Sequence, residues 1–400
     1  NAGTVTWYVD DAANFETALN NADKVVLTAD IDLVKTASLK SGKTVVLDAN
    51  GKTIKNTSTG VAIMVNGDLT IDGDGNVDGG KSGNNQAVHV KSGAKVTING
   101  GNFSVGPDAD GFGNSCIETS GGDIVINGGH FKSEAAYHGW YYVLNQNNSN
   151  PGTITVNGGT FVNYDPSTGD DSLGGNFVAD GYASTRTILS MSSDVKEYTI
   201  KKVTEVSDAS SLIKAAQDGE NYIRLMSNIE VDRTVIVDSD WSYVTLDLNG
   251  HKITNSKSIW DADNGDWSIL SFRSASGYLI VKGNGIIEAK EESADSKDAY
   301  AIDVQNRSAK VLLVDGEFVG RTHSVYSFAG KVYIEGGKYS NTNEENHDSV
   351  INCYNDNYKN NTANIIVKGG EFANFNPADN TAEGEHTNFV AEGYKSVETT

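Results

Sequence analysis

The sequence predicts an all-β fold of two tandem solenoid domains, residues 1–201 and 202–400, each with a short N-terminal capping helix. Three observations predict it. One strand-and-turn phrase recurs along the chain, a longer order of phrases occurs twice, and each half opens on an alanine-rich amphipathic stretch.

The short phrase reads "KVTINGGNF" (95–103), "DIVINGGHF" (123–131) and "TITVNGGTF" (153–161) in the first half. In the second it reads "KVLLVDGEF" (310–318), "KVYIEGGKY" (331–339) and "NIIVKGGEF" (364–372), with copies about 20 to 33 residues apart. Two apolar residues flank an outward one, as Val96 and Ile98 flank Thr97, and a period of two marks a strand with one buried face. The Gly-Gly pair turns the chain, because glycine adopts positive φ at little steric cost. The aromatic two residues beyond it is expected to return to the core. The residue after the buried pair (Asn99, Asn127, Asn157) is expected only to face water. Such a unit cannot bury its own apolar face, whereas stacked coils share one core.

The longer order pairs "VDDAANFETAL" (9–19) with "VSDASSLIKAA" (206–216) and "LDANGKTIKN" (47–56) with "LDLNGHKITN" (246–255). It ends with "NFVADGY" (176–182) and "NFVAEGY" (388–394). An ancient duplication accounts for this, with the boundary in "EYTIKKVTEV" near residue 200. Helices are expected over 13–22 and 209–217, capping the exposed end of the first coil of each half. The closing phrases are expected to cap the last coils, with Phe389, Val390 and Tyr394 as an apolar lid and Pro377 ending strand pairing.

Coils of this length, rich in Asn, Gly and Thr with Val and Ile strands, resemble the right-handed parallel β-helix of the pectin-lyase-like superfamily. The GG-x-F and NFVA-x-GY phrases also resemble repeat modules of surface and phage structural proteins of gut bacteria. A β-sandwich or propeller is the competing architecture; the absence of Asn-Gly hairpins between strands two residues apart argues for coils.

The balance of 53 acidic against 31 basic residues, a formal charge of −22, argues against nucleic acid and anionic membrane surfaces as partners. No apolar run reaches membrane-spanning length, so no membrane insertion is expected. The start at Asn1 is expected to reflect processing or trimming. Cys116 and Cys353 lie in apolar-flanked stretches and are expected to be buried free thiols.

No lyase or polygalacturonase motif set is present: "HGW" (138–140) stands alone, without Asn-Thr-Asp or Arg-Ile-Lys partners. The best enzyme candidate is Arg321 with His323 in "VGRTHSVYS". Asp261, Asp263 and Asp266 in "DADNGD" are spaced like the start of a calcium loop but lack the distal Glu. They and "DGDGNVDGG" (72–80) are expected to be solvated acidic turns, so no metal or cofactor is expected. The aromatic clusters are the better binding candidates: Trp260 and Trp267 in "SIWDADNGDW", and His138, Trp140 and Tyr141 in "YHGWYYV". Flat rings on loops stack on sugars or dock on protein, although packing over the flank of the coils also explains them.

The expectation is therefore a non-catalytic extracellular or virion-associated module, a structural spacer that binds a receptor or glycan. Its partners would be a cell-surface glycan or protein receptor, or neighbouring virion or surface proteins. The alternative is a polysaccharide lyase or glycoside hydrolase on the same fold.

Overall fold

The computed structural model describes residues 4–81, 83–107, 114–134, 136–137, 140–169, 175–240, 242–290, 298–343 and 349–399. The chain is predominantly β, with few helices and several parallel sheets. It divides into two compact units, Asn1–Lys202 and Val203–Thr400, each with its own buried apolar core.

In the first unit the chain visits three sheets in a fixed rotation. Lys24–Leu27 enters the first sheet, Ile31–Leu33 the second and Ala37–Leu39 the third; Thr44–Asp48, Thr53–Asn56 and Val61–Val65 then repeat the order. Each return pairs parallel with the strand before it, as Val96 with Ile124 and Ile124 with Ile154. This rotation is compatible with the expected parallel β-helix. It closes on two antiparallel strands, Tyr182–Arg186 and Glu197–Lys202, which pair onto Thr160–Val162 through the latter.

Register places like side chains above one another. Phe103, Phe131 and Phe161 stack inside the second sheet at 5.0 and 4.9 Å between ring centroids, nearly parallel. Phe318, Tyr339 and Phe372 repeat this in the second unit at 5.2 and 4.9 Å. The two glycines before each ring do different jobs. At Gly159, φ is +99°, a backbone that favours glycine; at Gly158, a Cβ would lie 2.1 Å from the carbonyl oxygen of Asn127 on the preceding coil.

One expectation needs correction. Asn99, Asn127 and Asn157 do more than face water: each side-chain amide donates to the residue one coil earlier, onto Asp72, Asn99 and Asn127, at 2.7, 2.8 and 2.9 Å. Asn-Gly turns are also present, at Asn50-Gly51 and Asn249-Gly250, with positive φ at all four residues. They join strands of different sheets rather than hairpin partners, because Asn50 and Asn249 donate back across a coil to the carbonyls of Leu27 and Leu225, both at 3.0 Å.

Helix α1 (Ala12–Asn21) is capped by Asp11, whose carboxylate accepts the Asn14 N–H at 2.8 Å. Helix α2 (Ala209–Asp218) has a full capping box between Asp208 and Ser211 and ends at left-handed Gly219. Both bury their apolar stripe, Phe15, Ala18 and Leu19 in the first and Leu212, Ile213, Ala215 and Ala216 in the second.

The second unit uses the same rotation with one difference. Tyr300–Leu313 and His323–Ile334 run continuously from the third sheet into the first and merge the two. The closing phrases add one parallel bridge each, Val178 onto Val156 and Val390 onto Val367. Phe177 and Phe389 are buried there, but Tyr394 is 51% exposed and is no part of a lid. There the chain turns, the Tyr394 N–H donating to the Ala391 carbonyl at 3.1 Å.

Candidate functional site

The outward face of the third sheet in the second unit departs from the rule that outward means solvated. Strands Ser268–Phe272, Tyr300–Leu313, His323–Ile334 and Ile351–Cys353 align Ser268 with Tyr300 and His323, and Ser271 with Asp303, Tyr326 and Asn352. Their neighbours Leu270, Phe272, Ile302, Val304, Val325 and Ile351 fill the core. Yet Ser268 and Ser271 are fully buried, and Asp303, Tyr300 and His323 nearly so. Buried polar groups require partners; Ser268, Ser271 and Asp303 find them in one another and in Arg273 and Gln305, which also hold a loop over this face.

That loop is 261–266, the acidic turn. Arg273 reaches up from the sheet, taking Ser271 Oγ at 2.8 Å and donating to the Asp266 carboxylate and the Gly265 carbonyl. Gln305 donates to the same carbonyl at 2.9 Å and to Asp303 at 2.6 Å, and Ser268 donates to Asp303 at 2.9 Å. Burial pushes the Asp303 carboxyl up, and these donors oppose that shift. His323 lies against both Tyr300 and Tyr326, with centroids 5.0 and 5.3 Å away. Its Nδ1–H donates to the Ser349 carbonyl and its Nε2 accepts from the Asn352 amide at 3.3 Å. Burial holds its pKa down, so the ring is neutral with both nitrogens engaged.

This accounts for several sequence candidates. Arg321 lies in the turn before His323, with its backbone N–H on Ala299 O, and its neighbour His323 points into the stacked ring row. Asp261 accepts from the backbone of Asp263 and from Asn264, and Asp266 is taken by Arg273. Within 72–80, Asp72 accepts from Asn99 and Asp78 from the Gly80 N–H. Among the described residues no group of three or more His, Cys, Asp or Glu side chains is arranged to hold a metal ion. Trp260 packs against the core of the unit, half-buried, and its Nε1 is buried with no hydrogen-bond partner. Trp267 is half-buried at the entry to its strand, where its carbonyl accepts the Tyr300 N–H at 2.8 Å. His138 lies outside the described residues; Trp140 and Tyr141 form a two-residue antiparallel pairing with Ala136 and Tyr137. Cys116 and Cys353 are buried free thiols, and burial pushes both thiol pKa values well up.

Tyr300, Asp303, Tyr326 and Asn352 went unnoticed in the sequence. The available signal was a polar or aromatic residue at the outward position of "AIDVQ", "SVYSF" and "INCYN", where solvation is the default reading. The first unit has a related row on its third sheet: His89 aligns with Glu118, and Glu118 with Asn145. His89 donates to or accepts from Ser120 Oγ at 2.9 Å. Burial, with the charge of Lys91, holds its pKa down to about 4, because Glu118 at 3.9 Å does not offset the lost hydration.

No family model, curated protein or solved structure matches the chain. No helix among the described residues is long and apolar enough to cross a membrane.

Proposed function

We propose that each unit is a right-handed parallel β-helix. On this reading the protein is a non-catalytic extracellular or virion-associated spacer that also binds a cell-surface glycan or receptor. The rotation through three sheets in parallel register, with aromatic rings stacked coil on coil, supports the rigid spacer.

One observation carries the non-catalytic part. On the polar face of the second unit, three buried or half-buried charged or titratable side chains are committed to the protein itself: His323 to Ser349 and Asn352, Asp303 to Ser268 and Gln305, Arg273 to Asp266. A general acid or base needs a proton it can exchange with substrate within hydrogen-bond reach, and a residue with every site engaged offers none.

The test is paired. Reducing-end and unsaturated-product assays on a panel of acidic and neutral polysaccharides should stay at background, while glycan-array and whole-cell binding give signal. Turnover that disappears in Arg321→Ala would instead establish the lyase or hydrolase.

A further inference from the structure

We propose that the open edge of the second unit's last coil accepts a strand from a partner polypeptide. That strand pairs antiparallel along residues 370–374 and is basic, with an aromatic and an aliphatic residue two positions apart. The proposal goes beyond the spacer reading and does not depend on which glycan or receptor the spacer binds.

The duplication supplies the template. In the first unit "TFVNYDP" (160–166) is covered by the strand Glu197–Lys202, which sets Thr199 opposite Thr160, Tyr198 opposite Phe161 and Glu197 opposite Val162. The Ile200 N–H donates to the Gly159 carbonyl at 3.1 Å, the Asn163 N–H to the Lys196 carbonyl at 2.6 Å, and the Lys196 N–H to Asn163 Oδ1 at 2.9 Å. The second unit repeats the acceptor as "EFANFNP" (371–377), including its left-handed asparagine: φ is +54° at Asn163 and +53° at Asn374. The rings keep their pose as well. Phe161 and Tyr164, like Phe372 and Phe375, lie 6.2 Å apart between centroids, inclined by 48° and 45°. The cover is what differs. Among the described residues Glu371–Phe372 is the last strand of its sheet. Phe161 and Tyr164 are buried, whereas Phe372 and Phe375 are half-buried and Asn374 is exposed.

The edge presents its backbone to the same side. Glu371 and Ala373 donate their N–H groups to the preceding coil, to the Gly337 and Tyr339 carbonyls at 2.9 and 3.0 Å. Strand N–H groups alternate in direction, so those of Phe372 and Asn374 face the open side, as those of Phe161 and Asn163 face Glu197–Lys202. In the first unit Tyr182–Arg186 flanks that strand on its far side. The corresponding "YKSVET" (394–399) lines one groove together with Glu371, Phe372 and Asn374. The groove therefore occupies the place of the middle strand. An open edge of this kind is a template for strand addition, in which backbone bonds give affinity and alternate side chains give specificity. The first unit shows the side chains that suit it: Tyr198 stands opposite Phe161, and Ile200 joins the core. Its strand also carries Lys196, Lys201 and Lys202 against Glu197, and a chain of formal charge −22 favours a basic partner.

The test uses the full chain and a labelled peptide of residues 194–202, "DVKEYTIKK", read by fluorescence anisotropy and by hydrogen exchange. Saturable binding is expected, with slowed exchange at the Phe372 and Asn374 amides. The same peptide N-methylated at Tyr198 and Ile200 should bind about tenfold more weakly or worse, because the two donors that face the edge are gone. Asn374→Gly keeps the positive φ and removes Oδ1, so it should weaken binding about three- to tenfold, with circular dichroism as the folding control; Asn374→Asp should retain it. No binding together with unchanged exchange overturns the acceptor edge. Equal binding of a scrambled peptide overturns the register and the side-chain assignment. Phe372 and Asn374 amides that are already slow in the chain alone overturn the partner: sedimentation as a monomer would assign the groove to residues 394–399, and as a dimer to a second copy.

Discussion

Replacing Phe131 by alanine tests the stacked core most directly. Phe131 is fully buried, with Phe103 on one side at 5.0 Å and Phe161 on the other at 4.9 Å. A buried Phe→Ala change costs about 3–5 kcal/mol through lost transfer free energy and the cavity left behind. Rings on both sides place this site at the upper end, about 4–5 kcal/mol, since each aromatic contact is worth about 0.5–1.5 kcal/mol beyond its area. Phe103 provides an internal comparison, because its register neighbour on the far side is Val77 rather than an aromatic. Phe103→Ala should therefore cost about 1 kcal/mol less than Phe131→Ala. The double variant should show a coupling of about 1 kcal/mol between the two sites. Urea unfolding, following the transition that the substitutions move, measures all three. Equal losses for the two single variants, or a Phe131→Ala loss below about 2 kcal/mol, would refute stacking as the source of the core's stability.

Three further outcomes are expected. Gly158→Ala should destabilise by well over about 2 kcal/mol, because its Cβ would meet the Asn127 carbonyl oxygen at 2.1 Å, whereas Gly181→Ala, with open space and φ +77°, should cost about 1 kcal/mol; equal melting temperatures would argue against coil contact at Gly158. Asp247 accepts from the Tyr222 hydroxyl at 2.9 Å and Arg224 Nε at 3.0 Å, so Asp247→Ala should cost about 2–3 kcal/mol in thermal unfolding and Tyr222→Phe about 1 kcal/mol; a neutral Asp247→Ala would show that water replaces the carboxylate. Burial lifts the Glu383 carboxyl from 4.5 to about 7. Between those values the folded chain holds more protons than the unfolded one, so stability falls as pH rises and levels off above. Measured against Glu383→Gln, the wild-type melting temperature should drop across that window; a rise would mean that the carboxylate is favoured in the fold.

Much of the fold was legible because its rules are local. Val96 and Ile98 alternate, Gly158 and Gly159 follow Ile154 and Val156, and Asp208 starts α2 with Ser211 in place, all within a few residues of one another. The polar face was not legible for the complementary reason. Asp303 differs in no local respect from a solvated strand carboxylate; what buries it is a loop some 40 residues earlier in the chain, held down by Arg273 and Gln305. The same holds for Glu383, which meets Cys353 only because the closing segment returns along the sheet edge.

By itself the sequence determined the strand, turn and inward ring of each repeated phrase, since a two-residue period and a glycine's steric freedom act over one or two peptide units. Only the tertiary structure decided which outward residues stay in water. Asn99, Asn127 and Asn157 became a ladder, His323 became a buried ring packed against Tyr300 and Tyr326, and Phe328 and Tyr354 were left partly exposed. The reason is that exposure on a strand face depends on what other segments cover it, and that covering is set by contacts between coils and loops far apart in the chain.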